Sequence, residues 1–206
     1  MVCFVSIFAI LVASTFAADP TATEHYKKGN TFMQQGELDQ AINEFKKAIS
    51  IDHNFDDAYY NLGYVYHMKA AKKNGTSIQD IGTRDPYAYY RGIVWKLGTE
   101  ELNLAVKEFK EVLRLQPKAA DAHLKLGMVY GNKGDFDSAI SEYRETIRLD
   151  PKGPDGQDAR HELALIYYYV KGKRKEAIEE LEAVLKVNPN HSSAKENFKK
   201  IKEKAK

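Results

Sequence analysis

Histidine, cysteine and carboxylate side chains are the residues of this chain that could do chemistry, and their spacing tests for a catalytic site. The six histidines are His25, His53, His67, His123, His161 and His191. No two of them lie within two helical turns of each other in sequence, so no H-x-x-x-H or H-E-x-x-H motif occurs. The chain also lacks a C-x-x-C-H motif, a phosphate-binding loop and a G-x-S-x-G motif. The sequence therefore predicts no enzyme, no metal site and no cofactor.

The one cysteine, Cys3, lies in an apolar segment at residues 1–17. This segment is typical of a secretory signal, with Thr15 and Ala17 at positions −3 and −1 of a cleavage site before Ala18. Cleavage would remove Cys3 and leave a mature chain without disulfides or thiolate chemistry. We expect an exported, extracytoplasmic protein, periplasmic in a bacterium. The alternative is an uncleaved anchor, because the segment is near the lower length limit for a span. Contact with a membrane is expected only in that case.

The charge balance argues against nucleic acid as a partner. Lys and Arg number 31 against 29 Asp and Glu, for a formal net charge of +2. Residues 195–206 are locally basic, with six lysines and two glutamates. This pattern favours a solvated terminal helix. The alternative is a site for an acidic partner or an anionic lipid surface.

Four similar segments recur along the chain, each followed by a second apolar run. The small residues of the first segments are Gly29, Gly63, Gly127 and Ala164, and the second runs begin at Ala41, Ala105, Ala139 and Ala177. Gly29 to Gly63 is 34 residues, and so is Ala105 to Ala139. Gly63 to Gly127 is 64 residues, which is one period plus 30 inserted residues. In the second runs, apolar residues fall at i, i+1, i+4, i+7 and i+8, which is the stripe of an amphipathic helix.

These segments resemble the tetratricopeptide repeat family, whose pattern joins an aromatic residue, Leu-Gly and Tyr to a later Ala-x3-Phe and Pro. The resemblance extends from about Ala22 to Asn190. His25 and His123 fall at the aromatic position, where we expect a packing role. The predicted fold is all-α: a right-handed superhelical solenoid of four helix-turn-helix repeats, with a helical insertion in repeat 2 and a C-terminal capping helix. The predicted boundaries are residues 22–55, 56–119, 120–153 and 157–190 for the repeats, about 69–98 for the insertion, and 191–206 for the cap.

The resemblance implies that the first helix of each repeat lines a concave groove that binds a protein or peptide. Repeat positions 2, 5, 9, 12 and 13 would face this groove. The residues selected as the partner-binding groove are Tyr26, Asn30, Met33, Tyr60, Tyr64, His67, Met68, Leu124, Met128, Asn132, His161, Leu165, Tyr168 and Tyr169. The set lacks the Lys and Arg of a carboxylate clamp, and its Tyr and Met suit an apolar or amphipathic segment. The alternative is that Tyr60, Tyr64 and Tyr168 only fill the solenoid interior.

The insertion offers a second contact surface. Asp85-Pro86 predicts a helix start, because Asp caps a helix and Pro fits its first position. Tyr89 and Trp95 lie off the apolar stripe of that predicted helix. We expect a non-catalytic interaction scaffold that supports assembly of an extracytoplasmic multiprotein complex. The alternative is a structural protein that self-associates as a homo-oligomer and organises a larger, enzyme-containing assembly through the insertion.

Overall fold

The computed structural model describes residues 19–73 and 99–203, which hold nine α-helices and no strand. The helices are α1 (Pro20–Gln35), α2 (Leu38–Ile51), α3 (Asp56–Lys73), α4 (Thr99–Leu115), α5 (Ala120–Asn132), α6 (Phe136–Leu149), α7 (Pro154–Tyr169), α8 (Arg174–Val187) and α9 (Ser192–Glu203). Within these ranges, no helix is both long enough and apolar enough to cross a bilayer.

The helices pack in consecutive pairs, α1 with α2, α3 with α4, α5 with α6, and α7 with α8. The turns inside three pairs contain Gly36, Gly134 and Gly172, whose φ angles of 77°, 78° and 65° are left-handed. Helix α9 closes the array against α8 and buries Ala194 and Ile201 completely. These pairs confirm the predicted all-α solenoid of helix-turn-helix repeats. We call α1, α3, α5 and α7 the first helices and α2, α4, α6 and α8 the second helices.

In three of the pairs a glycine of the first helix faces an aromatic ring of the second helix. The contacts are Gly29 with Phe45, Gly63 with Phe109, and Gly127 with Tyr143. A Cβ atom built on these glycines would lie 2.6, 3.2 and 2.7 Å from the facing ring. The absence of Cβ therefore lets the two helices approach closely. In repeat 4 the corresponding residues of the alignment are Ala164 and Leu181, which are both completely buried in one hydrophobic cluster.

A polar contact also joins the helices within three of the pairs. His25 Nδ1 lies 2.7 Å from Glu44 Oε2, His123 Nδ1 lies 2.7 Å from Glu142 Oε2, and Arg160 Nη1 donates to Glu180 Oε2 at 2.6 Å. The packing role expected for His25 and His123 is therefore accompanied by a hydrogen bond to a carboxylate.

Repeat 2 has Tyr59 and Glu108 at the equivalent positions, so its carboxylate lacks a basic partner on the first helix. The Glu108 side chain is buried, with 5% of its surface exposed. Its Oε1 atom lies 3.8 Å from the Nζ atom of the adjacent Lys107. Burial raises the pKa of Glu108, while Lys107 and Lys46 oppose the rise. Glu44, Glu142 and Glu180 each contact a His or Arg side chain of the first helix of their repeat, whereas Glu108 has no such contact with α3.

Helix α7 begins at Pro154, three residues before the predicted start of repeat 4. The Asp150 carboxylate accepts a hydrogen bond from the Gly153 amide at 2.9 Å. Pro154 is the first residue of the helix, where a backbone N–H would have no partner within the helix. Gly156 packs so closely on the Asp150 carbonyl oxygen that a Cβ atom would lie 1.7 Å from it. Residues expected to form a linker therefore form the first turn of α7.

Of the predicted insertion, residues 69–98, the structure describes only residues 69–73. Helix α3 continues through Lys73, so residues 69–73 extend the first helix of repeat 2. Helix α4 then begins at Thr99. The proposed contact residues Tyr89 and Trp95 and the N-terminal segment at residues 1–17 lie outside the described residues.

Candidate partner-binding surface

The curvature of the array follows from which helices approach across repeat boundaries. Each first helix approaches the next first helix, and α7 approaches α9. Among the described helices, no second helix approaches the second helix of the next repeat. The array therefore bends towards its first helices. We call the surface that α1, α3, α5, α7 and α9 present on this inner side the concave face.

The first two repeats are joined across the concave face by Asn61 of α3. Its amide nitrogen donates to Asn30 Oδ1 at 2.7 Å and to the Tyr26 hydroxyl at 3.2 Å, both on α1. The Tyr26 ring packs against Phe55 and Phe45, with centroid distances of 4.9 and 5.9 Å. Asn30 and Tyr26, selected from the sequence as groove residues, thus hold repeats 1 and 2 together.

Two asparagine–histidine pairs also join neighbouring helices of the face. The Asn132 amide of α5 contacts His67 Nε2 of α3, and the Asn197 amide of α9 lies 2.9 Å from His161 Nε2 of α7. His67 is only 8% exposed. Burial, with a smaller effect of the Lys125 charge, lowers the pKa of His67 to about 4, so its ring is neutral at pH 7. Five of the selected groove residues are therefore occupied by contacts between helices: Tyr26, Asn30, His67, Asn132 and His161.

Burial divides the remaining selected residues. Leu124 and Leu165 are 3% and 4% exposed and belong to the core. Tyr60 sets its ring edge against Phe109 at a centroid distance of 5.5 Å. The residues that are half-buried and pack against the core from its outer side are Met33, Tyr64, Met68, Met128, Tyr168 and Tyr169. We call these six the tyrosine–methionine row.

The concave face also holds a lysine that the sequence analysis missed. The Lys125 ammonium of α5 lies over the Tyr64 ring of α3, 5.9 Å from its centroid. The residues selected from the sequence include no Lys or Arg, so the selection omitted Lys125. Lys125 occupies the same repeat position as Asn61, and both side chains point back to the preceding repeat. The spacing of 64 residues between them, equal to Gly63 to Gly127, was the available signal.

Three aspartates accompany the row: Asp57, Asp121 and Asp155, in the first turns of α3, α5 and α7. We call them the aspartate cluster. Burial raises the pKa of Asp155, and Asp121, Asp150 and Asp158 raise it further. The pKa of Asp57 is raised by desolvation and by Asp56 and Asp121. These carboxylates therefore influence one another across the three helices.

No group of three or more potential metal ligands converges in residues 19–73 and 99–203. What the face presents is a row of Tyr and Met side chains beside carboxylates, supported by amide bridges between helices. Such a surface is suited to contact with another chain.

The curved stack of helix pairs and its concave face define a helical repeat solenoid. Three models of the tetratricopeptide repeat match the chain, over residues 29–69, 96–154 and 158–191. Together these matches span most of the chain, and the chain belongs to the tetratricopeptide repeat family. No curated protein sequence matches it significantly.

Solved structures of similar fold support this assignment. The crystal structure of MamA is 26% identical, with a TM-score of 0.63 over 90% of this chain and 86% of that one. PilF of Pseudomonas aeruginosa is 20% identical, with a TM-score of 0.67 over 91% of this chain and 70% of that one. The first TPR domain of Spaghetti (RPAP3), bound to the HSP90 peptide SRMEEVD, is 16% identical, with a TM-score of 0.54 over 73% and 94%.

Proposed function

We propose that this chain is a non-catalytic interaction scaffold that binds an apolar or amphipathic segment of a protein partner on its concave face. Tetratricopeptide repeat proteins act as protein–protein interaction scaffolds, and some bind peptides. The observation that carries the proposal is the half-buried state of the tyrosine–methionine row. These side chains are held by the core on one side and accessible on the other. Packing against the core limits the rearrangement of these side chains, and their accessible side still offers apolar contact area.

The chemistry of the row favours a segment rather than a small molecule. Tyr presents a large contact surface with few torsions to freeze on binding. Met adapts its unbranched chain to irregular partners. The row extends from Met33 on α1 to Tyr168 and Tyr169 on α7, so it follows four consecutive first helices. A ligand that contacts all of it must be elongated.

The histidines of the face support a binding role without catalysis. His67 and His161 each contact an asparagine of another helix, so their ring nitrogens serve the packing of the array. The RPAP3 domain is bound to a peptide that ends in acidic residues. The aspartate cluster would repel such a tail, and we propose that acidic tails are not the partner here.

The setting that we propose is extracytoplasmic, in the assembly of a multiprotein complex. Its support is the apolar segment at residues 1–17, with Thr15 and Ala17 before a cleavage site. Expression of the full chain in its native host, followed by fractionation and N-terminal sequencing, tests this setting. We expect an extracytoplasmic protein that begins at Ala18. A cytoplasmic protein that retains residues 1–17 would overturn the proposal.

Paired variants test the concave face as the binding surface. Tyr64→Ala/Tyr168→Ala removes two rings from the row, and we expect partner affinity to fall at least about 30-fold, as for a truncated interface hot spot. Ile51→Ala/Val187→Ala is the matched control, because both residues are exposed apolar side chains of second helices. Partner co-purified with the wild-type chain is titrated against each folded variant. Equal affinity for all three proteins would contradict the proposal.

A photo-crosslinking amino acid makes the test independent of affinity. Placed at Tyr64, it should form an adduct with the partner, whereas at Ile51 it should not. Adducts at both sites, or only at Ile51, would place the contact on another surface.

A further inference from the structure

We propose that the segment bound on the concave face is basic and amphipathic: its apolar residues contact the tyrosine–methionine row, and its Lys or Arg residues lie beside the aspartate cluster. This inference rests on the proposed function and adds the charge of the partner to it.

The placement of the aspartates is the first argument. Asp57, Asp121 and Asp155 occur in the first turns of three consecutive first helices, and those helices lie side by side. The three carboxylates therefore belong to one end of the concave face. In the part of the chain that the structure describes, none of the three forms an ion pair with a Lys, Arg or His side chain. The nearby Asp158 does have a cationic neighbour, with His191 Nε2 3.7 Å from its Oδ1 atom.

The electrostatics of the cluster is the second argument. An aspartate in the first turn of a helix is ordinarily stabilised in its charged form by the helix dipole. Asp57 and Asp155 depart from this rule, since desolvation and neighbouring carboxylates raise the pKa of both. Lys125, whose ammonium lies over Tyr64, opposes the rise in the pKa of Asp155. A cation from a partner would relieve this repulsion.

The third argument is the regular spacing between the aspartates and the apolar residues along α3 and α5. Asp57, Tyr60 and Tyr64 lie at i, i+3 and i+7 on α3, and Asp121, Leu124 and Met128 repeat this spacing on α5. Seven residues of helix rise about 10 Å, so Asp57 and Asp121 lie roughly that far along their helices from Tyr64 and Met128. Asp155 lies further from the row on its own helix, 13 residues or about 20 Å of helix rise before Tyr168. A helical partner with basic and apolar residues seven positions apart can place its cations beside the aspartates and its apolar side chains against the tyrosine–methionine row. A purely apolar partner would bury the carboxylates further without compensating them.

The basic C-terminal segment of a second copy is the other occupant that charge would allow, since residues 195–206 contain six lysines. Helix α9, however, uses Ala194 and Ile201 to pack on its own array, and both are fully buried. The remaining large apolar side chain of α9, Phe198, also packs against the core of its own array and lies under the Lys202 ammonium, 4.9 Å from the ring centroid. We therefore assign the concave face to a separate partner.

Three labelled peptides test the inference. Each is a 15-residue helix with Leu at the same apolar positions, and its polar positions carry Lys, Gln or Glu. Binding to the wild-type chain is measured by fluorescence anisotropy at low and high NaCl. We expect the Lys peptide to bind about tenfold more tightly than the Gln peptide and the Glu peptide to bind least. The preference for Lys should shrink at high salt, because exposed charges are screened.

Charge-neutralising variants locate the preference. Asp57→Asn/Asp121→Asn/Asp155→Asn should bind the Lys and Gln peptides equally. The control Glu37→Gln/Glu179→Gln/Glu182→Gln removes the same number of charges from exposed residues next to or within the second helices. It should keep the full preference for Lys. Circular dichroism checks that both triple variants are folded.

The outcomes separate this inference from the proposed function. If the three peptides bind equally and Tyr64→Ala/Tyr168→Ala abolishes their binding, the charge inference fails and the binding surface stands. If no peptide binds, or if binding ignores that double variant, both proposals fail. If the chain forms a dimer that the Lys peptide dissociates, the occupant is a second copy and the inference is overturned.

Discussion

The Asn132 side chain of α5 contacts the His67 ring of α3, and this contact holds a buried neutral histidine inside the concave face. The pair joins repeats 2 and 3 without a charge. Because the buried ring is neutral, the stability of the array should fall as the pH falls.

His67 should weaken the fold as the pH falls. Its pKa of about 4 in the folded chain lies below the ordinary 6.5, so the unfolded chain binds the proton first. The contribution of His67 is complete above pH 6.5 and declines as the pH falls towards 4. Between pH 7 and pH 4.5, wild type should lose on the order of 2 kcal/mol more unfolding free energy than His67→Gln, measured by urea denaturation. The exposed His53→Gln is the control, and a pH slope equal to wild type in His67→Gln would contradict the prediction.

Glu108 and Glu44 should respond to the same substitution with opposite signs. Burial raises the pKa of Glu108, so ionisation at pH 7 destabilises the fold and stability rises as the pH falls through the folded pKa. Glu108→Gln should therefore raise the unfolding free energy at pH 7, by on the order of 1 kcal/mol.

Glu44 supplies the opposite case. Hydrogen bonds from Lys47 and His25 lower its pKa, so its stabilisation is present above the unfolded pKa and is lost as the pH falls. Glu44→Gln should reduce stability at pH 7. Thermal denaturation of both variants at pH 7 and pH 4 compares them, and a shift of the same sign for both would refute the assignment.

Gly127→Ala should cost more stability than Gly63→Ala. A methyl group added to Gly127 would lie 2.7 Å from the Tyr143 ring, and one added to Gly63 would lie 3.2 Å from the Phe109 ring. Overpacking costs about 1–3 kcal/mol, while alanine regains roughly 0.5–1 kcal/mol of helix propensity over glycine. We expect a net loss of about 1–2 kcal/mol for Gly127→Ala and a change near zero for Gly63→Ala, measured in urea.

A second substitution identifies the cause. Tyr143→Leu introduces the residue type that repeat 4 has at the corresponding position of the alignment, Leu181. The double variant Gly127→Ala/Tyr143→Leu should therefore be more stable than the sum of its single changes by about 1 kcal/mol. Additive losses would exclude a clash between these two residues.

Asn61→Ala should loosen repeat 1 specifically. The change removes the amide that donates to Asn30 and Tyr26, and it should lower the free energy of unfolding by about 0.5–1.5 kcal/mol. Repeat arrays open from their ends, because each repeat contacts only its neighbours. Amide hydrogen exchange should accelerate in α1 and α2 and stay unchanged in α7–α9. The exposed Asn103→Ala of α4 should leave the pattern unaltered, and uniform acceleration across the array after Asn61→Ala would contradict this account.

Features confined to one repeat could be predicted from the sequence. The 34-residue period, the small residue facing a ring in Gly29 and Phe45, and the left-handed turn at Gly36 all depend on side chains of a single helix pair. The hydrogen bond between His25 and Glu44 was within reach as well, because the same spacing of 19 residues recurs between His123 and Glu142.

Features that depend on the next repeat were not predicted. Lys125 reaches Tyr64 only because α5 packs beside α3, and no pattern within repeat 3 indicates that neighbour. His67 and Asn132 were selected as contacts for a partner, yet each meets the other first. The early start of α7 follows from the Asp150 carboxylate, which belongs to the preceding repeat.

The sequence by itself determined the fold class and the repeat family, because periodic small and apolar residues specify helix pairs locally. The expectation that the first helices line a concave groove came from the resemblance to that family. Only the tertiary structure decided which residues of that face remain accessible. Burial and charge compensation depend on the distance between side chains of successive repeats, and that distance is set by the stacking of the helices.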